Sequence, residues 1–395
     1  MSQRPDHEAS IATLAVHGPG AIVHAPKGPA TPIHRSAAFE PAPDGHADWA
    51  YSRLANPTVA AVASRIATLE GTEDALLTAS GTSALLAALL AVVPAGGLVA
   101  ASRLVCGDAY RILVRELPSL GRRVVLIDPG DERRWAAIAP SASAFFVEAV
   151  SNPTLRVADI ERLAAIASGS DVVVIVDATL ATPVNLRPAL LGADLVVHSA
   201  TKALNGHGDV TAGVVAGSLH VLARVRDAAD GLGACLDPGA ASLLERGLKT
   251  LPLRVERQNE TARIVARTLV GHPGILSVCH PALPSHPDHE LAGRVLAGSA
   301  GLATLRLRGG ADAAERFLAG LRLIGRAPTL GGVESLALRP WVSSHAELPW
   351  GERRRAGIRP GMIRLSLGIE DAGELLSDIE AALEAAARRR AIAFP

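Results

Sequence analysis

The stretch VVVIVDATLATPVNLRPALLGADLVVHSATK, Val172 to Lys202, decides how the rest of this chain is read. Its first five residues, Val172 to Val176, form an unbroken β-branched run, the pattern of a strand buried on both faces of a parallel sheet. Asp177 ends the run, where open α/β sheets bind ligands, and a carboxylate buried there calls for a cationic partner. A second short strand, Leu195 to Val197, delivers His198, Ser199, Ala200, Thr201 and Lys202 to the same sheet edge. Taken alone, Asp177 also suits a helix cap or turn, and Lys202 a solvated surface lysine.

Two hydroxyls, an amine and an acid together match the needs of pyridoxal 5′-phosphate, which takes a lysine as Schiff base, an acid against its ring nitrogen and donors around its phosphate. Lys202 is therefore the candidate cofactor lysine. Upstream, Ala79, Ser80, Gly81, Thr82 and Ser83 lead into an apolar helix, Ala84 to Val93. Small residues at a helix start expose amides at the positive end of its dipole and suit a phosphate, although an ordinary N-cap reads the same way.

Working outward, strands are expected at Leu98 to Ala101, Val124 to Ile127, Phe145 to Val147 (ending in Glu148) and Ala212 to Ala216, with helices from Asn56-Pro57-Thr58 to Gly71 and from Asp159 to Ala167. This alternation predicts an α/β fold, a mainly parallel sheet covered on both faces. Later the pattern changes: a long helix (Leu253 to Val270), a strand (Ala303 to Leu307), a helix (Ala311 to Leu321) and a closing helix (Ala372 to Arg390) predict a smaller α+β part. Arg364, in the short strand Ile363 to Ser366, is a surface charge or a bidentate anchor for a substrate carboxylate. The expected division is an extended arm over 1–48, of a kind that packs on another subunit, a cofactor-binding domain over 49–247 and a C-terminal, substrate-side domain over 248–395.

The 395 residues carry 39 basic and 39 acidic side chains and only 3% aromatics, which offers nucleic acid neither an electrostatic footprint nor stacking platforms. The first ten residues, MSQRPDHEAS, show no signal peptide, and Pro94, Gly96 and Gly97 break the most apolar stretch into a buried helix and a strand, so no membrane span is expected. Cys106, Cys235 and Cys279, odd in number and far apart, suit a reducing cytoplasm. His286 and His289 have a spacing seen in metal sites but no third ligand nearby, so no metal is expected.

The motifs YSRLANPT (51–58), SGT (80–82), SNPTLRVADI (151–160), VDAT (176–179), GADLVVHSATK (192–202), NGHGDV (205–210), RGLKTL (246–251), SHPDHELA (285–292), GGVESL (331–336) and GIRPGMIRLSLGIED (357–371) run in order over nearly the whole chain. With them the chain resembles the Cys/Met-metabolism pyridoxal-phosphate enzymes, the cystathionine γ-synthase, γ-lyase and β-lyase family. The resemblance implies fold type I of the pyridoxal-phosphate transferases and trans-sulfuration chemistry on small amino-acid substrates. By the same resemblance Lys202 holds the cofactor and Asp177 pairs with its ring nitrogen. The amides of Gly81 and Thr82 and the hydroxyls of Ser199 and Thr201 bind the phosphate, with Tyr51 and Arg53 from a neighbouring subunit of a homotetramer. Asn152 meets the cofactor's phenolic oxygen or the substrate carboxylate, and Arg364, with backbone near Ser335, anchors that carboxylate. Where the family places a ring-covering tyrosine, this sequence has Cys106, and Ala178, Leu180, Ala203 and Gly208 stand where relatives carry larger or polar residues, which implies a roomier site. The first expectation is cystathionine γ-lyase-like carbon–sulfur elimination. The alternatives are γ-replacement on an O-acylhomoserine, as in cystathionine γ-synthase or a sulfhydrylase, and a cofactor-retaining regulatory homologue without turnover.

Overall fold

The computed structural model describes residues 10–18, 30–40 and 49–387. Asn56 opens the first long helix because its Oδ1 accepts the amides of Thr58 (2.9 Å) and Val59 (3.4 Å), and Pro57 fits the first helical position. The helix, α2 (Pro57–Glu70), stops at Gly71, whose φ of 73° favours glycine. It follows a shorter helix, α1 (Ile11–His17), inside the segment read as an extended arm. That expectation is corrected: Ala15 is fully buried, and Arg65 of α2 donates to the carbonyls of Ala15 and Val16 at 2.8 Å each, so this part packs on its own chain. Residues 1–9, 19–29 and 41–48 of the arm, and 388–390 of the closing helix, lie outside the described residues.

Seven strands form the larger sheet: β1 (Asp74–Thr78), β2 (Leu98–Ser102), β3 (Arg123–Ile127), β4 (Ala144–Glu148), β5 (Val173–Asp177), β6 (Leu195–Ser199) and β7 (Gly213–Gly217). Their order is β1-β7-β6-β5-β4-β2-β3, parallel from β6 to β3, with β7 and β1 antiparallel at one edge. Each central strand is apolar on both faces because each face is covered. Phe146, Ile175 and Val197 share a core with α3 (Gly81–Val92), while Phe145, Val174, Val176 and Val196 share another with α2. The strand β6 runs two residues further than its apolar run suggests. His198 therefore lies inside the sheet, fully buried with Nε2 2.7 Å from Glu70 Oε1, and not at the edge with Ser199.

The smaller, five-stranded sheet contains β8 (Ile275–Cys279), β9 (Leu302–Leu307), β10 (Gly325–Arg326), β11 (Leu336–Leu338) and β12 (Met362–Ser366), ordered β10-β11-β12-β9-β8 and antiparallel except for β10 with β11. Among the described residues no helix is long and apolar enough to cross a membrane.

The helix Leu251–Leu269 ties this sheet to the loop after Lys202. Arg254 is buried, and its guanidinium donates to the carbonyls of Ala203 (2.8 Å), Gly247 (2.7 Å) and Leu204 (3.4 Å). Burial pushes it down to about 10. Gly206 passes so close, with φ at +77°, that a Cβ there would stand 1.9 Å from Arg254 Nη1. Replacing Arg254 by Met strands the carbonyls of Ala203 and Leu204, that of Gly247 keeping Thr250, so a loss of about 3 kcal/mol is expected in urea unfolding. Arg254→Lys should restore only part of it, since an ammonium lacks the planar fork.

Candidate active site

The carboxyl ends of β4, β5 and β6 carry Glu148, Asp177 and Ser199, all on the face toward α3. Ser80 caps α3 through a reciprocal pair with Ser83, each side chain accepting the other's amide at 3.1 Å. That leaves the first-turn amides of Gly81 and Thr82 without intrahelical partners. A Cβ built on Gly81 would stand 2.6 Å from Ser199 Cβ and 2.8 Å from its Cα, so only glycine lets the helix start lie against β6.

These ends enclose a cavity of about 230 Å³ whose wall includes Gly81, Thr82, Cys106, Asp108, Glu148, Asn152, Asp177, Ser199, Thr201 and Lys202. Asp177 Oδ1 accepts the Thr179 amide at 2.8 Å, and Thr179 Oγ1 accepts the amide of Ser199 at 2.8 Å, which locks the acid and the serine to one another. Burial raises Asp177, against the bonds from Thr179 and the charge of His198. A ring cation beside it would remove that penalty. Thr201 Oγ1 takes the Ala212 amide (3.0 Å) and faces the Ala212 carbonyl (3.3 Å).

Lys202 Nζ donates to Thr329 Oγ1 at 2.9 Å, and Arg364 Nη2 donates to Thr329 O at 2.6 Å. Arg364 is buried, its Nη1 lies 3.5 Å from Asn152 Oδ1, and its Nε has no hydrogen-bond partner among the described residues. Burial lowers Lys202, with a second push from the Arg364 charge, and burial takes Arg364 down to about 10. A desolvated guanidinium with a spare donor is built to receive a carboxylate.

Glu148 joins the two loops of the wall. Its Oε1 accepts the amide of Cys106 (2.5 Å) and its Oε2 that of Asn152 (3.2 Å). Burial, then the Asp177 charge, push it up to about 8, while those amides pull the other way. The Cys106 thiol is held well above its ordinary range by burial and by Glu148 and Asp177. Tyr110 is buried in the core and does not line the cavity.

The sequence expectations meet this geometry unevenly. Gly81, Thr82, Cys106, Asn152, Asp177, Ser199, Thr201 and Lys202 share the cavity wall, and Arg364 stands behind Asn152 and Thr329. Tyr51 and Arg53 do not line it. Tyr51 is exposed, and Arg53 lies over the Tyr51 ring at 5.7 Å with Nη1 3.3 Å from the Asp230 carbonyl. Ser335 is not brought to the cavity. Its amide (2.6 Å) and Oγ (2.9 Å) both donate to Glu370, and its carbonyl takes the Gly325 amide (3.0 Å), so both of its donors are engaged. His286 and His289 turn their Nδ1 atoms to the backbone of Asp288 and Pro281. Sequence reading overlooked Glu148, Thr179 and Thr329. Glu148 ends an apolar strand just as Asp177 does, a signal open to use, whereas nothing local marks Thr329.

Gly81→Ala is expected to weaken pyridoxal-phosphate binding by about tenfold or more, because the intruding methyl moves the helix start off β6. Absorbance titration of the cofactor-free protein measures it. The cofactor-free protein also has a pH signature. Folded Glu148 keeps its proton up to about 8 while the unfolded carboxyl loses it near 4.5, so stability is fully present below the lower value and falls as pH rises through that window. Asp177, also raised, acts with the same sign. Glu148→Gln should flatten the fall, read by urea unfolding at a series of pH values.

The sequence profile of the Cys/Met metabolism PLP-dependent enzymes matches residues 12–384. Cystathionine gamma-synthase 1, chloroplastic, of Arabidopsis thaliana is 42% identical over 341 residues, which are 85% of this chain and 60% of that protein. The chain thus spans about three-fifths of the length of this plant relative. Cystathionine gamma-lyase of Sus scrofa is 37% identical over 381 residues, 95% of this chain and 94% of that protein. The crystal structure of cystathionine gamma synthase from Xanthomonas oryzae pv. oryzae in complex with aminoacrylate and cysteine superposes with a TM-score of 0.93 at 34% identity, covering 96% of this chain and 99% of that one. With its two-sheet architecture that of fold type I, the chain belongs to the Cys/Met metabolism family of pyridoxal-phosphate-dependent enzymes.

Proposed function

We propose that this protein eliminates the γ-sulfur substituent of a cystathionine-like amino acid, with Lys202 holding pyridoxal phosphate and then serving as base. The observation that carries this is Thr329, which bonds the Lys202 amine through its hydroxyl and the Arg364 guanidinium through its carbonyl. A carboxylate seated on Arg364 would bring its own Cα within reach of the lysine, the geometry that α-proton removal needs. Bound cofactor supplies the electron sink for the charge left at Cα. Asp177 would hold the ring nitrogen protonated, and Gly81, Thr82, Ser199 and Thr201 would seat the phosphate. Asn152 and Arg364 would orient the substrate. Desolvation keeps Lys202 a competent neutral base once freed, able to take the proton from Cα and to move one at Cβ before the γ-substituent leaves.

Tyr51 and Arg53, exposed and away from this cavity, would complete the phosphate site of a second copy, which supports a homotetramer with shared sites. The division near residue 248 would separate cofactor binding from the substrate-side domain. Three free cysteines fit a reducing cytoplasm. The second reading, γ-replacement on an O-acylhomoserine, uses the same residues and is supported by the higher identity to the plant synthase.

Purified holoenzyme is expected to release 2-oxobutyrate and ammonia from L-cystathionine faster than it joins cysteine to O-succinylhomoserine. Product mass and keto-acid assays compare the two, and the opposite ranking selects replacement. Lys202→Ala should reduce turnover about 10³-fold.

A further inference from the structure

We propose that Asp108 selects substrates bearing a cationic group on the leaving-group side of the scissile carbon–sulfur bond. This rests on the elimination reading and names the substrate class within it.

Three carboxylates line the cavity, and two are committed. Glu148 is buried and holds the amides of Cys106 and Asn152, and Asp177 is bonded to Thr179. Asp108 is different. Its side chain is 73% exposed, and its contact with Arg111 is a loose one at 3.7 Å within the same helix. Its charge is nevertheless felt at the Lys202 amine, which it helps to keep protonated. A substrate seated at that amine and extending toward solvent therefore passes through the field of an uncommitted carboxylate.

That field sorts leaving groups by charge. An ammonium on the departing thiol, as in a thioether joining two amino acids, is attracted. A methylthio group is indifferent to it, and an O-succinyl group is repelled. An exposed ion pair in water contributes little, so the discrimination is modest. Asp108 also lies in the first turn of the helix Gly107–Arg111, where an acid suits the dipole, and that purely structural role would not distinguish one substrate from another.

The test uses pyridoxal-phosphate-loaded enzyme with L-cystathionine and with S-(2-carboxyethyl)-L-homocysteine, which keeps the scissile bond and the distal carboxylate and lacks only the distal amine. Asp108→Asn is expected to raise KM for cystathionine about three- to fivefold and to lower that of the analogue, whose distal carboxylate is no longer repelled, with kcat unmoved for both. Asp108→Glu should keep the wild-type preference and Asp108→Lys should reverse it. Equal shifts for both compounds, or none, overturn the assignment. If the wild-type enzyme cleaves neither compound, the elimination reading falls separately. Asp108 is then judged by the concentration at which each compound half-shifts the visible absorbance of the holoenzyme. Tighter binding of cystathionine that is lost in Asp108→Asn upholds the role, and equal binding overturns it.

Discussion

Two cations share one dry corner of this molecule, and much of the site's design follows from making that tolerable. The Lys202 amine and the Arg364 guanidinium are both taken out of water, and the charge of Arg364 further disfavours that of Lys202. Thr329 meets both with oxygen, one from its hydroxyl and one from its carbonyl, and Asn152 Oδ1 stands at the second guanidinium nitrogen. This relieves the penalty only in part. The amine yields, becoming easier to deprotonate, while the guanidinium stays charged with Nε unpartnered. An amine eased toward its neutral form and a guanidinium with a spare donor thus come from the same shortage of solvation.

The acids opposite them are placed by strand register. Glu148 faces Asp177 across adjacent parallel strands, and Asp177 faces Val197, so the acid side chains emerge on one face at the level of Ser199. Burial raises both acids, the Asp177 charge pushes Glu148 further toward protonation, and the chain directs backbone amides at both to limit it. Those amides belong to the segments at Cys106, Asn152 and Thr179. Electrostatic relief at the strand ends and placement of the wall loops are therefore the same set of bonds.

The strands were legible because burial on two faces leaves an apolar run with no alternation, and α2 because asparagine, proline and glycine mark its ends. Lys202 and Asp177 were legible for a related reason: a charged residue that closes such a run, or follows it closely, is partly desolvated, and a ligand of opposite charge or a reactive role offsets that cost. Other features escaped because their cause lies elsewhere in the chain. Thr329 matters through Lys202 and Arg364, far away in sequence, and no pattern around it shows that. His198 looked like a sheet-edge residue because β6 was ended with its apolar run. Its partner, Glu70, closes a helix on the opposite side of the sheet from Asp177. The surroundings of Ser335 were hidden for a similar reason, since the carboxylate that claims its amide and hydroxyl comes from Glu370.

The family's tyrosine position shows what a smaller side chain changes. The thiol of Cys106 is held protonated by burial and by two carboxylates, so it is neither a nucleophile nor a base near neutral pH. Nor does Tyr110, one turn on, step in, because it is packed among Leu and Val side chains of the core. The titratable groups that remain on the wall are the Lys202 amine and the carboxyls of Asp108, Glu148 and Asp177. Glu148, raised to about 8, is largely neutral near pH 7 while burial eases the Lys202 amine toward its neutral form, so the surroundings separate an acid from an amine without any phenol. What the thiol cannot replace is bulk. A thiol covers less of the cavity wall than a ring would, so the charged side chains along that wall, Asp108 among them, weigh more in the proposed sorting of leaving groups.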